Sequence, residues 1–439
     1  ASIFAMQFSE SADHVRGHPL GDRLPVAERR AAVSRMGEVI GANLDDFTRL
    51  FTLEQGRPLA KASEELMGAA FWAGHVATQD IPVLVSEDTP ERRAETRRVP
   101  IGVVGAIVPW NFPMLLGVWK IAGALLTGNT LVIKPSPYTP LTILKLGELM
   151  RPHLPPGVLN VVSGGDALGP WMTAHPGIDK ISFTGSTATG KRVMASAAQS
   201  LKRITLELGG NDAAIVLGDV DVAAVAGPLF WSAFVNSGQV CIATKRLYVH
   251  DTVYDALAAE LTAIAERVRM GDGLAPGSEL GPIQNRPQYD RVRALIADAR
   301  DAGLRFLTGG DVPDGKGYFI PVTLVDNPPE DSRVVAEEAF GPVLPLIRFT
   351  DVDDVIARAN ASPYGLAGSV WSADVDAAQA IAARLDTGTV WINEAQHVAP
   401  WLPFGGHKQS GIGIENGVEG LMEYTNAQTI MVRKPVVAA

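Results

Sequence analysis

From residue 101 onward, short β-branched runs alternate with helical stretches, and no other feature of this chain restricts its fold as much. The runs are IGVVGAIVP (101–109), NTLVIKPS (129–136), LNVVSGG (159–165), KISFTGS (180–186) and ITLELGG (204–210). Strands separated by helices form parallel βαβ units covered on both faces, so the pattern predicts an α/β fold with a doubly wound parallel sheet. Ligands of such sheets bind beyond the carboxyl ends of the strands. The unusual residues collect there: Pro109-Trp110-Asn111-Phe112-Pro113, Lys134-Pro135-Ser136, Gly164-Gly165 and Thr184-Gly185-Ser186-Thr187. The ordinary dinucleotide fingerprint GxGxxG is absent. Gly185-Ser186-Thr187 at a strand-to-helix junction offers free N–H groups to a phosphate, although the same residues also serve as a plain helix cap.

Before the sheet, residues 25–80 carry apolar positions at three-to-four spacing and read as helices, interrupted at Gly56-Arg57-Pro58. Residues 89–100, TPERRAETRRVP, read as an exposed strand or arm, with 425–434 as its candidate partner. After residue 210 a second α/β unit is expected, with helices near 252–269 and 287–302 and strands near 318–325, 343–349 and 388–393. At 439 residues the chain exceeds one ordinary core, so two or three domains are expected.

Lys and Arg total 38 against 48 Asp and Glu, a net charge of −10 without a sustained basic run. Nucleic acid and anionic membranes need a positive footprint, so a small-molecule ligand is the better expectation. The apolar segment 114–133 is broken by Lys120 and three glycines, which disfavours a membrane span. The first residues lack a basic stretch followed by an apolar one, so no signal peptide is read there. With one cysteine there is no internal disulfide and no Cys-rich metal site, and a reducing cytoplasm is the expected location.

That cysteine, Cys241, lies in FVNSGQVCIATKR (234–246), just past a Ser-Gly-Gln turn. Free cysteine is commonly a small buried hydrophobe. A turn can instead present the sulfur at a cleft, where backbone N–H groups lower its pKa.

Seven stretches in order decide between these readings: PWNFP (109–113), KPS (134–136), FTGST (183–187), LELGG (206–210), GQVC (238–241), EEAFGPV (337–343) and PFGGHKQSG (403–411). Together they resemble the aldehyde dehydrogenase superfamily over roughly residues 25–434. The Glu207 to Cys241 interval of 34 residues (241 − 207) also matches. The resemblance implies a cofactor domain (1–88 and 101–209), a catalytic domain (210–411), a small β oligomerisation arm (89–100 and 425–439) and a return segment (412–424). It further implies a homodimer or homotetramer.

An aldehyde yields hydride only after attack makes it tetrahedral, and the resemblance makes Cys241 the attacking thiolate. It implies Asn111 and the Cys241 N–H as oxyanion donors, and Glu207 as the base that activates water against the thioester. Lys120 and Glu415 match positions that assist water activation and proton exit; otherwise Lys120 is a snorkelling helix lysine. For the NAD cofactor the resemblance implies Lys134 and Glu338 at the riboses, Trp110, Ser136, Gly185 and Ser186 along the path, and Phe340 near the nicotinamide. Many relatives carry a ribose-binding glutamate where Pro137 stands here. Its loss removes a repulsion against a 2′-phosphate, so NADP is expected to be tolerated beside NAD. No metal is expected.

Phe112, Leu115, Trp119, Val235, Val240, Ile242, Val398, Trp401 and Phe404 are the expected substrate-facing residues. All are apolar, which suits a hydrophobic or aromatic aldehyde over a charged one. His397 and His407, in the same loop, are left outside the site. A CoA-acylating dehydrogenase is the nearest rival, and Glu207 argues against it because a poised water base would waste the thioester. A catalytically silent scaffold of the same fold would have no use for an activated thiol.

Overall fold

The computed structural model describes residues 24–435; the expectations for the start of the chain and its last four residues lie outside them. The amino-terminal pattern forms three helices, Val26–Ala42, Leu44–Gln55 and Leu59–Val76. The first stretch breaks at Asn43, and the second helix stops at Gly56 in a left-handed conformation (φ 92°) that a side chain would strain.

The first large sheet runs in the order Gly411–Ile412, Arg203–Glu207, Lys180–Thr184, Val103–Ile107, Thr130–Lys134, Leu159–Val161. All its pairings are parallel except that of Gly411–Ile412, which lies antiparallel to Arg203–Glu207. Strand side chains alternate between faces. Val104, Ala106, Leu131 and Ile133 join a core with the helices Pro113–Leu126 and Leu141–Met150. Val103, Val132, Ile181 and Phe183 join a second core with Leu168, Met172 and Val193. This sheet is therefore doubly wound, as the alternation required.

The second sheet orders Arg305–Thr308, Thr323–Asp326, Val343–Phe349, Thr244–His250, Asp212–Val216, Ala367–Trp371, Thr389–Ile392. It too is parallel but for its first strand and is buried on both faces. The strands Asp212–Val216, Thr244–His250, Arg305–Thr308 and Ala367–Trp371 were not read from the sequence.

The arm is a three-stranded antiparallel sheet in which Arg92–Pro100 pairs with Thr425–Arg433 over nine positions. Leu84–Asp88 pairs on its other edge, so the arm starts before the expected boundary at 89. The return to the first sheet likewise starts at 411, not 412. Among the described residues no helix is long and apolar enough to cross a membrane.

Candidate active site

Cys241 follows a turn whose three residues Asn236, Ser237 and Gly238 all have positive φ, at 53°, 55° and 73°. Two non-glycine residues there mean stored strain, which the surroundings must enforce. Gly238 cannot be replaced cheaply, because a Cβ would lie 2.2 Å from the Gly341 carbonyl oxygen. Ser237 Oγ donates to the Gly281 carbonyl (2.7 Å), and Gln239 Nε2 donates to the Asn236 carbonyl (2.8 Å).

Asn111 is buried in the loop between Val103–Ile107 and Pro113–Leu126, and its Nδ2 donates to the Gln239 carbonyl at 3.0 Å, two residues before Cys241. The Asn111 carbonyl accepts from Arg57 Nη2 (2.6 Å) and Asn236 Nδ2 (3.2 Å). Arg57 is itself buried, paired with Glu65 at 2.6 Å, and lies 4.2 Å from the Phe112 ring centroid. Glu65 in turn accepts from the backbone N–H groups of Met114 and Leu115. One guanidinium thus ties the Asn111 loop to the Cys241 turn.

Cys241 is partly exposed as a residue, yet burial and then the charge of Glu207 push its thiol well above the usual range, with Lys245 acting the other way. This reverses the expected lowering: desolvation disfavours the thiolate more than the turn's environment favours it.

Glu207 is the last residue of its strand and is 2% exposed. Both its carboxylate oxygens lack a hydrogen-bond partner. Burial, then the charges of Glu415 and Asp212, hold its pKa well above the usual carboxylate range against the pull of Lys120. Lys120 is not a snorkelling lysine: it is buried, with Nζ 2.6 Å from Glu415 Oε1 and 2.8 Å from Ser182 Oγ. Ser182 Oγ also donates to Glu415 Oε1 at 3.0 Å, and the Tyr424 hydroxyl lies 3.3 Å from Ser182 Oγ.

Of the expected cofactor residues, Trp110, Lys134, Ser136, Gly185 and Ser186 lie at or just beyond the carboxyl ends of first-sheet strands, and Glu338 and Phe340 come from the segment before the second-sheet strand Val343–Phe349. Lys134 ends its strand, buried, and spends one donor on the Pro135 carbonyl (3.0 Å). Ser136 Oγ accepts from Tyr138 N–H. Ser186 caps the helix Thr187–Ala198, and Gly185 N–H donates to the Glu207 carbonyl at 3.0 Å. Trp110 and Phe340 meet edge to face at 5.4 Å. Glu338 Oε1 accepts from Gly210 N–H, and a Cβ on Gly209 would lie 2.4 Å from Glu338 Oε2, so a glycine leaves room for that carboxylate. An ammonium and a helix amino terminus beyond the strand ends of the first sheet, with a carboxylate supplied from beside the second, are the groups that suit the phosphates and hydroxyls of a dinucleotide.

Eight of the nine expected substrate residues, Phe112, Leu115, Trp119, Val235, Val240, Ile242, Val398 and Phe404, belong with Cys241 to the extended apolar core that also takes in the amino-terminal helices and one face of the first sheet. Trp401 does not join it. That residue is 50% exposed and meets the His75 ring at a tilt at 5.0 Å, with Phe71 edge-on at 6.3 Å. A cavity of about 180 Å³ is lined by Trp391, Val398, Leu402 and Phe404, with Glu394 and His397 among its walls. His407 is occupied by Asp386 at 2.9 Å.

Sequence reasoning missed Arg57, Glu65, Ser182, Tyr424, Asp212 and Lys245. The signal for the last two was charge inside apolar runs: Asp212 opens DAAIV, and Lys245 and Arg246 lie in the buried strand TKRLYVH. Burial pushes the Asp212 carboxyl up to about 7, opposed by Lys245.

Two largely parallel sheets covered by helices on both faces give an α/β fold, and its likeness to known proteins makes the chain an NAD(P)-dependent oxidoreductase. Residues 15–430 match the aldehyde dehydrogenase family, and the chain belongs to it. It is 40% identical to phenylacetaldehyde dehydrogenase of Pseudomonas fluorescens over 424 residues, covering 93% of this chain and 84% of the relative. It superposes on the NAD⁺ complex of aldehyde dehydrogenase from Bacillus cereus with a TM-score of 0.95 at 34% identity, covering 98% and 89% of the two chains. The NADP-dependent enzyme of E. coli superposes equally well, with a TM-score of 0.95, 36% identity and coverage of 98% and 91%. The protein is an enzyme that oxidises an aldehyde with NAD(P).

Proposed function

We propose that this enzyme oxidises a hydrophobic or aromatic aldehyde to the free acid through a thioester on Cys241 that Glu207 clears with water. The observation that carries the reading is Glu207. It is a carboxyl buried without a single hydrogen bond, close enough for its charge to act on the one thiol in the chain. An unpartnered buried carboxyl costs stability, and a base waiting for water accounts for its retention.

Cys241, partly exposed, gives its proton to solvent water, and Sγ then adds as thiolate to the aldehyde carbon. The carbonyl oxygen becomes an oxyanion held by Asn111 Nδ2, which turns from the Gln239 carbonyl, and by the Cys241 N–H. NAD(P)⁺, when bound, supplies the acceptor for the hydride that the tetrahedral carbon must lose. Lys134, Ser136, Gly185, Ser186, Trp110, Glu338 and Phe340 would hold it. Glu207 then takes a proton from water, the hydroxide attacks the thioester carbon, and Sγ leaves as thiolate with release of the acid. Lys120 and Glu415, whose charges act on Glu207, would take the proton on from it, and Ser182 and Tyr424 would extend that path.

The apolar character of the expected substrate-facing residues and the similarity to phenylacetaldehyde dehydrogenase both favour an apolar substrate. Pro137 has no carboxylate to repel a 2′-phosphate, so NADP serves beside a preferred NAD. The two edge strands of the arm, one exposing Leu84 and Val85 and the other Met431 and Val432, suit assembly into a dimer or tetramer. A thiol that must stay reduced suits the cytoplasm.

An aldehyde panel with each cofactor, without CoA, tests the reading. Aromatic aldehydes should give the highest kcat/KM, and NADP should retain more than a hundredth of the NAD value. Activity that requires CoA, or survives Cys241→Ser, would overturn it.

A further inference from the structure

Lys245 sits behind the nucleophile. Its Nζ donates to the carbonyls of Cys241 (2.6 Å) and Val240 (2.9 Å), with that of Ala243 at 3.4 Å, and lies 3.5 Å from Glu338 Oε1. The side chain is 4% exposed. Consecutive strand residues face opposite sides, and Arg246 accordingly turns away to the carbonyls of Asn211 and Ala359. The glycines of the Glu207 strand end make the close approach feasible. A Cβ on Gly210 would lie 2.8 Å from the Cys241 carbonyl oxygen, and one on Gly209 would strike Glu338.

We propose that Lys245 is a positioning residue that sets the nucleophile's loop and the cofactor-facing carboxylate Glu338 with one buried cation. The proposal rests on the function argued above for Cys241 and Glu338. A lysine is suited to this because three rotatable donors can be shared between carbonyls and a carboxylate. The charged groups acting on the thiol are Glu207, Lys245, Asp212 and Glu338, and only Lys245 among them favours the thiolate. The same ammonium therefore makes the thiolate accessible and holds Glu338 in place. A loop shift that weakens one contact disturbs the other.

Because Cys241 is the only cysteine, iodoacetamide reports on it without any turnover. The alkylation rate is measured against pH for wild type, Lys245→Met, Lys245→Arg and Glu338→Gln, each verified as folded by circular dichroism. Lys245→Met should slow alkylation at fixed pH by about threefold or more, a tenfold loss of thiolate being partly offset by the greater nucleophilicity of a more basic thiol. Glu338→Gln should accelerate it, and Lys245→Arg should stay within about twofold of wild type. In Lys245→Met the KM for NAD should also rise. Opposite signs from the two halves of one ion pair are what a charge role demands, whereas loss of packing would move both the same way. Equal rates in wild type and Lys245→Met would overturn the proposal, as would slowing in both Lys245→Met and Glu338→Gln. Should Lys245→Met fail to fold, Glu338→Gln decides alone, and an unchanged or slower rate overturns the proposal. Absence of aldehyde turnover would count against the proposed function and leave the alkylation result readable.

Discussion

Replacing Glu207 by Gln should stabilise the protein while stopping its turnover, and the stabilisation should grow with pH. The folded carboxyl, buried and beside Glu415 and Asp212, has its pKa raised well above the ordinary value of 4.5. Between the unfolded and folded values the native state holds a proton that the unfolded state has released, so its stability falls as pH rises through that window. The slope from this one group approaches about 1.4 kcal/mol per pH unit inside the window and vanishes above the folded pKa. Glutamine has the same size and no ionisation, so it escapes this loss. Thermal melts of both proteins at pH 5, 6, 7 and 8 should diverge, at roughly 1 °C per kcal/mol for a chain of this length. In rapid mixing with aldehyde, the variant should still give a first burst of NADH while steady turnover drops by about 10²- to 10⁴-fold. Parallel melting curves across the pH series would refute the electrostatic argument, and a variant that turns over normally would refute the role of Glu207 as base.

Arg57→Met leaves Glu65 buried without its partner and frees the Asn111 loop, so a loss of about 3–5 kcal/mol is expected, read as a lower melting temperature; Arg57→Met with Glu65→Leu should recover part of it. Gly238→Ala, with φ at 73° and a backbone oxygen 2.2 Å from the new Cβ, should cost at least about 3 kcal/mol and lower the yield of folded enzyme. Met431→Asp with Val432→Asp on the arm's exposed strand should shift the protein toward monomers in sedimentation velocity, with the melt of the monomer's own cores retained.

The sequence by itself determined what depends on neighbours along the chain. Alternating runs at 101–210 specified a parallel sheet because strand and helix periods are local. Gly56 stopped a helix, Ser186 started one, and TPERRAETRRVP read as an exposed strand or arm because its polar residues alternate, although it became the central strand of its sheet. The family resemblance carried by the spaced motifs also singled out Cys241, Glu207 and Asn111. Only the tertiary structure decided what those groups experience. Lys120 could be read as a site residue or as a snorkelling helix lysine until Glu415, 295 residues away, closed on it, and Arg57 became a hub only when Asn236, 179 residues on, reached it. The direction of the Cys241 shift could not be read from its turn, and Lys245 had no visible partner in Glu338. Desolvation and Coulomb attraction depend on what surrounds a group in space, and that environment is assembled from segments that no local pattern connects.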